Sequence, residues 1–254
     1  MLVQLAGTGQ ETLLSEVGSQ YLLPLFSTRD ACALRLVCRE FLAAVSEQPW
    51  EDSETVIRGS LAAWRASFPR ARAANVSQCE GGGRATPVLD ADFVHLQGLR
   101  VLVMKSCTSI SDAAFANLTG IHTLDMSLCD QASIYSLNMR WCDQGGITHA
   151  AFAHLRGIHT LNMSMCWQNG ITDAAFAHLR GIHTLNLSWC NQEGITDAAF
   201  AHLRGIHTLR MRGCTQEGIT GATFAHLAGV RALDMRGCVP ARIAAARALD
   251  LPVL

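Results

Sequence analysis

The sequence has little of what marks several functional classes. Lysine and arginine (20) nearly balance aspartate and glutamate (21), and the formal net charge is −1, so overall charge does not attract the chain to nucleic acid or to anionic membranes. Apolar runs fall short of the roughly 18 residues that a spanning helix needs, and the start, MLVQLAGTGQ, lacks the basic region of a signal peptide. We therefore expect a soluble, intracellular protein, cytoplasmic or nuclear, with neither nucleic acid nor membrane among its partners.

Motifs for catalysis and metal binding are missing as well. The sequence contains no G-x-S-x-G elbow and no H-E-x-x-H, and the glycines 81–83 are not followed by the lysine of a phosphate-binding loop. Most of the ten histidines recur at fixed positions of a repeat. Such rows lie along a line, whereas a metal site needs ligands that converge on one point. We expect no enzymatic activity, no metal and no cofactor.

A 24-residue repeat dominates what is present. The phrase GITDAAFAHLRGIHTLNLSWC at 170–190 recurs almost unchanged at 194–214, and its last residue recurs at the same spacing. A period of about 20–29 residues indicates a solenoid. The residues that set the spacing are Cys142, Cys166, Cys190, Cys214 and Cys238.

Each repeat predicts a strand, a turn and a helix. In one unit, Thr172 is a candidate N-cap, Asp173 lies in the first helical turn, and Gly181 follows as the left-handed C-cap of a two-turn helix. Leu185 and Leu187 alternate with polar residues, as in a strand. Because one unit cannot enclose its own apolar side chains, neighbouring units must stack, with one parallel strand each along a concave wall.

The segment L-x-x-I-x-x-L-x-L-x-x-C followed by G-I-T-D resembles the cysteine-containing leucine-rich repeats. The resemblance implies an α/β fold, a right-handed horseshoe over residues 67–254, closed by a C-terminal helix at 240–251. Buried free thiols are expected at the repeated position, although the roughly 4.8 Å spacing of strands does not exclude a disulfide ladder. The eight equivalent cysteines are Cys79, Cys107, Cys129, Cys142, Cys166, Cys190, Cys214 and Cys238.

One interval breaks the period, because only 13 residues separate Cys129 from Cys142. This segment keeps a strand pattern at Leu137 and Met139 but lacks the helix. Since about 20 residues are needed for a full coil, we expect a distorted or helix-less coil here, with a gap on the convex face.

Residues 12–52 have a different, helical texture and resemble an F-box, most clearly from Asp30 to Phe41, with a linking helix at 53–66. The resemblance implies docking on a Skp-type adaptor of a cullin ligase. The alternative is that these helices only cap the open end of the solenoid, as terminal units must. The residues expected to contact the adaptor are Leu14, Leu22, Phe26, Leu34, Val37 and Cys38.

The strand residues that point away from the core form columns that vary between repeats. One column places Trp141, Met165 and Trp189 after the strands, and basic residues flank it. If exposed, this ridge is a partner-binding patch, since Trp, Met and Arg are enriched in interfaces; if folded into the turn, it is packing. The basic residues expected to bind an acidic or phosphorylated target are Arg140, Arg210, Arg212 and Arg236.

Together these resemblances imply a substrate-recognition subunit of a Skp–cullin–F-box type ubiquitin ligase that holds a target protein on its concave wall. The alternative is a non-catalytic interaction scaffold whose N-terminal helices only cap the solenoid.

Overall fold

The structure, a computed structural model, describes residues 23–37, 39–78, 87–107, 109–127 and 146–254. Seven three-residue strands form one parallel sheet in which chain order equals spatial order. One strand per coil, each paired only with its sequence neighbours, makes the chain a solenoid, as predicted. The strands are β1 (Ala73–Asn75), β2 (Val101–Val103), β3 (Thr123–Asp125), β4 (Thr160–Asn162), β5 (Thr184–Asn186), β6 (Thr208–Arg210) and β7 (Ala232–Asp234).

Short helices lie opposite the sheet. The α-helices are α1 (Thr28–Leu34), α2 (Arg39–Glu47), α3 (Leu61–Ser67), α4 (Asp112–Phe115), α5 (Asp173–Phe176), α6 (Asp197–Phe200) and α7 (Pro240–Ala248). 3-10 helices of three to seven residues occur at Leu23–Leu25, Asp90–Leu96, Ala116–Leu118, His149–Leu155 and Gly221–His226. Between helices and sheet runs a continuous core, with one fully buried phenylalanine per coil. These are Phe93, Phe115, Phe152, Phe176, Phe200 and Phe224.

The repeated helix is shorter than the two turns predicted. α5 ends at Phe176, and Gly181, at φ +82°, lies in the loop that enters β5 rather than at the helix end. Thr172 has the extended N-cap backbone, but its hydroxyl accepts no capping hydrogen bond, unlike that of Thr196. The shortening applies to α5 and α6; in the coil before them the 3-10 helix His149–Leu155 runs for seven residues.

The acidic residue that opens each helix ties consecutive coils together. The Asp173 carboxylate accepts hydrogen bonds from the backbone N–H of Thr196 (2.7 Å) and from its hydroxyl (2.6 Å). The Asp197 carboxylate accepts the equivalent pair from Thr220. Each such bond joins the first helical residue of one coil to the N-cap threonine of the next, so the aspartate predicted as a helix-dipole residue also joins neighbouring coils.

The repeated cysteines line the interior as free, buried thiols. Within the described residues they are Cys107, Cys166, Cys190, Cys214 and Cys238. Each thiol points at a backbone carbonyl of the preceding coil; Cys190, for example, donates to the Met163 carbonyl over 3.0 Å. Burial raises the pKa of Cys190 to about 12. Cys79, Cys129 and Cys142 lie outside the described residues.

The irregular interval differs from expectation. β3 pairs directly with β4, with Thr123 opposite Thr160, so no coil of the sheet lies between them. The coils on either side are also joined at their helices, because the Asp112 carboxylate accepts from the Thr148 N–H (2.7 Å) and hydroxyl (2.6 Å). The expected gap on the convex face is therefore wrong. Residues 128–145, with Leu137 and Met139, lie outside the described residues.

The N-terminal helices are fastened to the first strand. The Trp50 carbonyl accepts hydrogen bonds from the N–H groups of Arg72 (2.7 Å) and Ala73 (3.1 Å), and the Ile57 N–H donates to the Asn75 carbonyl (2.8 Å). Residues 53–60 are not helical, contrary to the predicted linking helix at 53–66; they include a bridge from Val56 to Asn75, and α3 follows. This segment covers the edge of β1.

α7 closes the other end of the stack, at 240–248 where 240–251 was predicted. Arg242 of α7 is buried and donates to the Cys214 carbonyl (3.1 Å) and to the Gln216 carbonyl. In the preceding coil the amide of Gln216 itself donates to the Cys190 carbonyl (2.6 Å). The arginine thus continues a hydrogen-bond ladder that would otherwise end in unpaired carbonyls. Across the described ranges, no helix has the length and apolar character needed to cross a bilayer.

Candidate protein-binding surfaces

The N-terminal helices expose several large apolar side chains. Leu25, Leu36, Val37 and Leu42 are 80, 82, 55 and 46% exposed, and all four fall in one stretch of chain that packs on the solenoid through other residues. Exposed large apolar groups gathered in one segment mark an interaction surface more often than scattered ones do. We call these four residues the N-terminal apolar surface.

The structure separates the predicted adaptor-contact residues into three groups. Val37 is exposed, as a contact residue must be. Phe26 and Leu34 are only partly exposed and pack against the core, so they support the helices from beneath. Leu14, Leu22 and Cys38 lie outside the described residues. The sequence interpretation did not include Leu25, Leu36 or Leu42 among the contacts, although the amphipathic spacing in α2 could have indicated Leu42.

Asp52 holds α1 in place below that surface. Its carboxylate accepts hydrogen bonds from the Thr28 N–H (2.7 Å) and hydroxyl (2.9 Å) at the start of α1. Its other oxygen accepts from the N–H groups of Glu54 (3.0 Å) and Thr55 (2.9 Å). Burial opposes ionisation, but the hydrogen bonds from Thr28, Thr55 and Glu54 outweigh it and lower the pKa of Asp52 to about 2. The helix start is thus anchored by a carboxylate that stays charged.

A second surface lies at the carboxyl ends of β4 to β7, around Trp189. Trp189 is 42% exposed and has φ +62°. A side chain at Gly213, one coil further on, would collide with the Trp189 ring, so one ring face rests on a glycine and the rest is open. The sequence left two alternatives for this position, an exposed ridge or packing in the turn. Trp189 shows part of each, since one side of its ring is packed and the rest is exposed.

The other members of the predicted ridge divide differently. Met165 has φ +56° and is only partly exposed, while Trp141 lies outside the described residues. Trp167, which was not predicted, belongs to the surface instead: its indole N–H donates to the Trp189 carbonyl over 2.6 Å. This bond fixes the backbone that presents the exposed ring.

The predicted basic residues are not equivalent. Arg210 and Arg212 are exposed, and within the described parts of the chain no carboxylate lies in ion-pair distance of either. Arg236 instead binds Asp234 through Nε (2.9 Å) and a terminal nitrogen (2.5 Å), and this hydrogen bond lowers the pKa of Asp234. Arg140 lies outside the described residues. Two cations beside Trp189 are therefore available to a ligand.

On the rest of this face of the sheet, positive and negative side chains balance. Near β2 and β3, Lys105 pairs with Asp125 over 3.2 Å. Asn162 and Asn186 turn back to accept from the N–H groups of Ser164 (3.1 Å) and Ser188 (3.0 Å). The positive charge of the face is thus concentrated at β6. We call Trp189, Arg210 and Arg212 the β6 surface.

An arginine-lined cleft of about 380 Å³ lies between α3 and the first coil, and it includes Arg65, Arg70 and Arg72. Arg65 donates to the carbonyls of His95 (2.7 Å) and Gln97 (3.0 Å) and, on its other side, of Ala71 (3.2 Å). Its guanidinium is therefore used to fasten α3 to the repeats. Over the described ranges, no group of three or more His, Cys, Asp or Glu side chains is placed to hold a metal ion.

Comparison with known proteins bears on the fold. No protein-family model matches the chain, and no curated protein matches it in sequence. Among solved structures, an internalin from Listeria monocytogenes superposes with a TM-score of 0.52 at 12% identity, covering 84% of this chain and 56% of its own. The Toll–Spatzle complex of Drosophila gives a TM-score of 0.51 at 10% identity, covering 82% of this chain and 30% of the matched chain.

The chain thus spans less than two thirds of the length of either neighbour. At these identities the likeness establishes architecture and nothing about ligands. The architecture agrees with the parallel, one-strand-per-coil sheet described above. The chain has a leucine-rich-repeat solenoid fold.

Proposed function

We propose that this protein is a non-catalytic receptor with two protein-binding surfaces: the N-terminal apolar surface docks on a Skp-type adaptor of a cullin ligase, and the β6 surface holds the target protein. The observation that carries the proposal is the concentration of exposed apolar side chains at 25–42 beside a solenoid that encloses its own core. Ubiquitin transfer would be the work of the associated ligase, with this chain supplying proximity.

The adaptor half of the proposal is supported by how the helices are built. α1 begins with a capping box in which the Ser27 hydroxyl accepts from the Asp30 N–H (3.2 Å) and the Asp30 carboxylate accepts from the Ser27 N–H (3.3 Å). Leu36 and Val37 follow α1 directly in an exposed turn. A helix with its own start signal and its own anchor at Asp52 presents those two side chains in a fixed position, which favours rigid docking.

The target half is supported by charge and by an aromatic anchor. Arg210 and Arg212 offer two guanidinium groups with no carboxylate partner in the described residues, and Trp189 lies beside them with part of its ring open. Tryptophan and arginine are the residues most enriched in binding hot spots. The partner that fits is a protein segment bearing carboxylates or phosphates next to an apolar side chain.

The test separates the two surfaces with single substitutions. Val37→Asp places a charge on the N-terminal apolar surface, and Val94→Asp is its matched control, because Val94 is 51% exposed on the first coil and Val37 is 55% exposed. Binding to a purified Skp adaptor should fall at least tenfold for Val37→Asp and remain unchanged for Val94→Asp. Equal binding by both variants would contradict the adaptor assignment.

For the target, proteins captured from a eukaryotic lysate by the wild type are compared with those captured by Trp189→Ala and Arg212→Ala. These variants should lose the captured target but keep the adaptor, whereas Val37→Asp should lose the adaptor but keep the target. Arg236→Ala is the control, since Arg236 is already paired with Asp234. Loss of the same proteins in all variants would argue against two separate surfaces.

A second candidate is an interaction scaffold whose N-terminal helices only cap the solenoid. It is favoured by the hydrogen bonds from Arg72, Ala73 and Ile57 that close the edge of β1, because a cap needs such bonds and a docking module does not. Under this alternative, capture through the β6 surface persists while purified Skp adaptor fails to bind.

A further inference from the structure

A column of histidines lies at the amino ends of the strands, at the opposite end of the sheet from Trp189. Its members, His122, His159, His183 and His207, each immediately precede a strand. Their rings stack nearly parallel, with centroids separated by 4.7, 4.5 and 4.3 Å in that order. The backbone sets this spacing, because each of the last three N–H groups donates to the carbonyl of the preceding histidine over 3.0 Å.

A neighbouring threonine fixes the orientation of each ring. The Nδ1 atom of His183 lies 3.1 Å from the hydroxyl oxygen of Thr184, and the other three histidines repeat this contact at 3.2–3.3 Å. The rings are nevertheless partly open to solvent, and His159 is exposed. Protons can therefore reach the column without unfolding.

The charged groups around the column are positive. The carbonyl of Arg100 accepts the N–H of His122, and the N–H of Arg231 donates to the carbonyl of His207, so an arginine continues the column at each end. Partial burial, and then the charges of His207, His159 and Arg231, lower the pKa of His183. The nearest strand carboxylates, Asp125 and Asp234, lie at the other end of the strands, where Lys105 and Arg236 neutralise them.

We propose that this histidine column is a proton-responsive seam, in which acidification below about pH 6.5 puts like charges on rings 4.3–4.7 Å apart and weakens the contact between successive coils. Histidines in the unfolded chain bind protons at about that pH, whereas partial burial and the neighbouring positive charges lower the pKa of the stacked His183. The unfolded chain therefore holds more protons in this window. The free energy of unfolding is then full above the window and decreases as the pH falls through it.

Duplication alone explains the presence of a row but not its stacking. A second row, at His154, His178, His202 and His226, has the same period. In that row the imidazoles meet arginines instead: Nδ1 of His178 lies 3.4 Å from Arg156, and Nδ1 of His202 lies 3.4 Å from Arg180. Among the described residues, ring stacking between histidines is found in the strand column and not in this second row. His226, which stacks on no other histidine among the described residues, is the control within that row.

The experiment measures urea unfolding of the full chain at several pH values between 7.5 and 5.0. His183→Gln removes a ring with stacked neighbours on both sides, and His226→Gln removes one from the second row. On acidification, the folding equilibrium constant of the wild type should decrease severalfold more than that of His183→Gln, because the variant lacks the ring whose pKa its neighbours lower. His226→Gln should follow the wild type.

An NMR titration of the imidazole Cε1–H signals gives an independent readout. The His183 signal should titrate at a higher pH in His159→Gln than in the wild type, because one of its two stacked neighbours is then removed. His159→Gln serves as a second variant if His183→Gln does not fold. Parallel pH profiles for wild type, His183→Gln and His226→Gln, or a His183 titration that His159→Gln leaves unchanged, would overturn the proposal.

Discussion

Among the described residues from Asp112 to Cys238, one large apolar side chain, that of Trp189, is exposed. The much shorter segment of 25 residues from Leu23 to Glu47 exposes four. The repeats cover each coil with the next, and Arg242 continues the hydrogen-bond ladder into α7. The N-terminal helices, by contrast, are covered only on the side that packs against the core. The comparison shows that these repeats bury nearly all of their large apolar side chains, while the N-terminal helices leave four of theirs exposed.

The two regions should differ most in thiol reactivity. Cys32 in α1 is exposed and Cys190 in the repeats is buried, with the pKa of Cys190 raised by burial to about 12. Because the thiolate is the reactive form, alkylation of native Cys190 should be about a thousandfold slower than that of Cys32. Timed iodoacetamide labelling with peptide mapping checks this. Comparable rates in the native protein would mean that the repeats open readily.

Truncation in the core should give the next largest effect. Phe200 is completely buried and stacks on Phe176 with ring centroids 6.4 Å apart. Phe200→Ala should lower the free energy of unfolding by about 3–5 kcal/mol through lost burial and a cavity. Leu36→Ala, at the exposed N-terminal apolar surface, should change it by less than about 0.5 kcal/mol. Urea titrations of both variants measure the difference, and similar losses would remove the contrast between the regions.

The hydrogen bonds that the helix-opening aspartates accept from the next coil should contribute less to the free energy of unfolding than the buried core does. The Asp197 carboxylate accepts from the N–H (2.7 Å) and hydroxyl (2.5 Å) of Thr220 and from the Thr223 hydroxyl. Asp197→Ala should cost about 1–2 kcal/mol in partly exposed surroundings. Asp92→Ala, at the N-terminus of the 3-10 helix of the first coil, is a control that removes only a local bond to Leu89. An equal loss in the two variants would show that the Asp197 bonds between coils add nothing.

The smallest expected effect concerns the stability of α1 at acidic pH. Hydrogen bonds lower the pKa of Asp52 to about 2, below its ordinary value of about 3.9. Its contribution is therefore complete above about pH 3.9 and is lost as the pH falls toward 2. Asp52→Asn should flatten the pH dependence of α1 unfolding in that window, measured by hydrogen exchange of residues 28–34. An unchanged profile would mean that Asp52 does not anchor the helix.

The sequence predicted most of the repeat architecture because each inference rested on several equivalent residues. The positions of Phe176, Leu185 and Cys190 recur in every clean coil, and burial of the whole column follows from stacking. The length of the helix was wrong because Gly181 resembles a helix C-cap, while the closed coil leaves it in the loop before the strand. Local sequence does not encode that closure.

The irregular interval misled the prediction for a related reason. The predicted gap assumed that the short interval separates its neighbouring coils, but strand pairing depends on which segments can lie side by side, and β3 meets β4 directly. The strand pattern at Leu137 and Met139 lies outside the described residues. The β6 surface was predicted in part: Arg210 and Arg212 were found from their columns, whereas the pairing of Arg236 with Asp234 and the seat of Trp189 on Gly213 required three-dimensional contacts.

The most direct test of the central claim is hydrogen–deuterium exchange of the full chain with and without a purified Skp adaptor. The account predicts that the adaptor protects amides within residues 23–47, around Leu36 and Val37, and leaves the amides of β4 to β7 unchanged. Val37→Asp should abolish that protection and Val94→Asp should preserve it. Absence of protection at residues 23–47 at saturating adaptor, or protection along the repeats instead, would contradict the account.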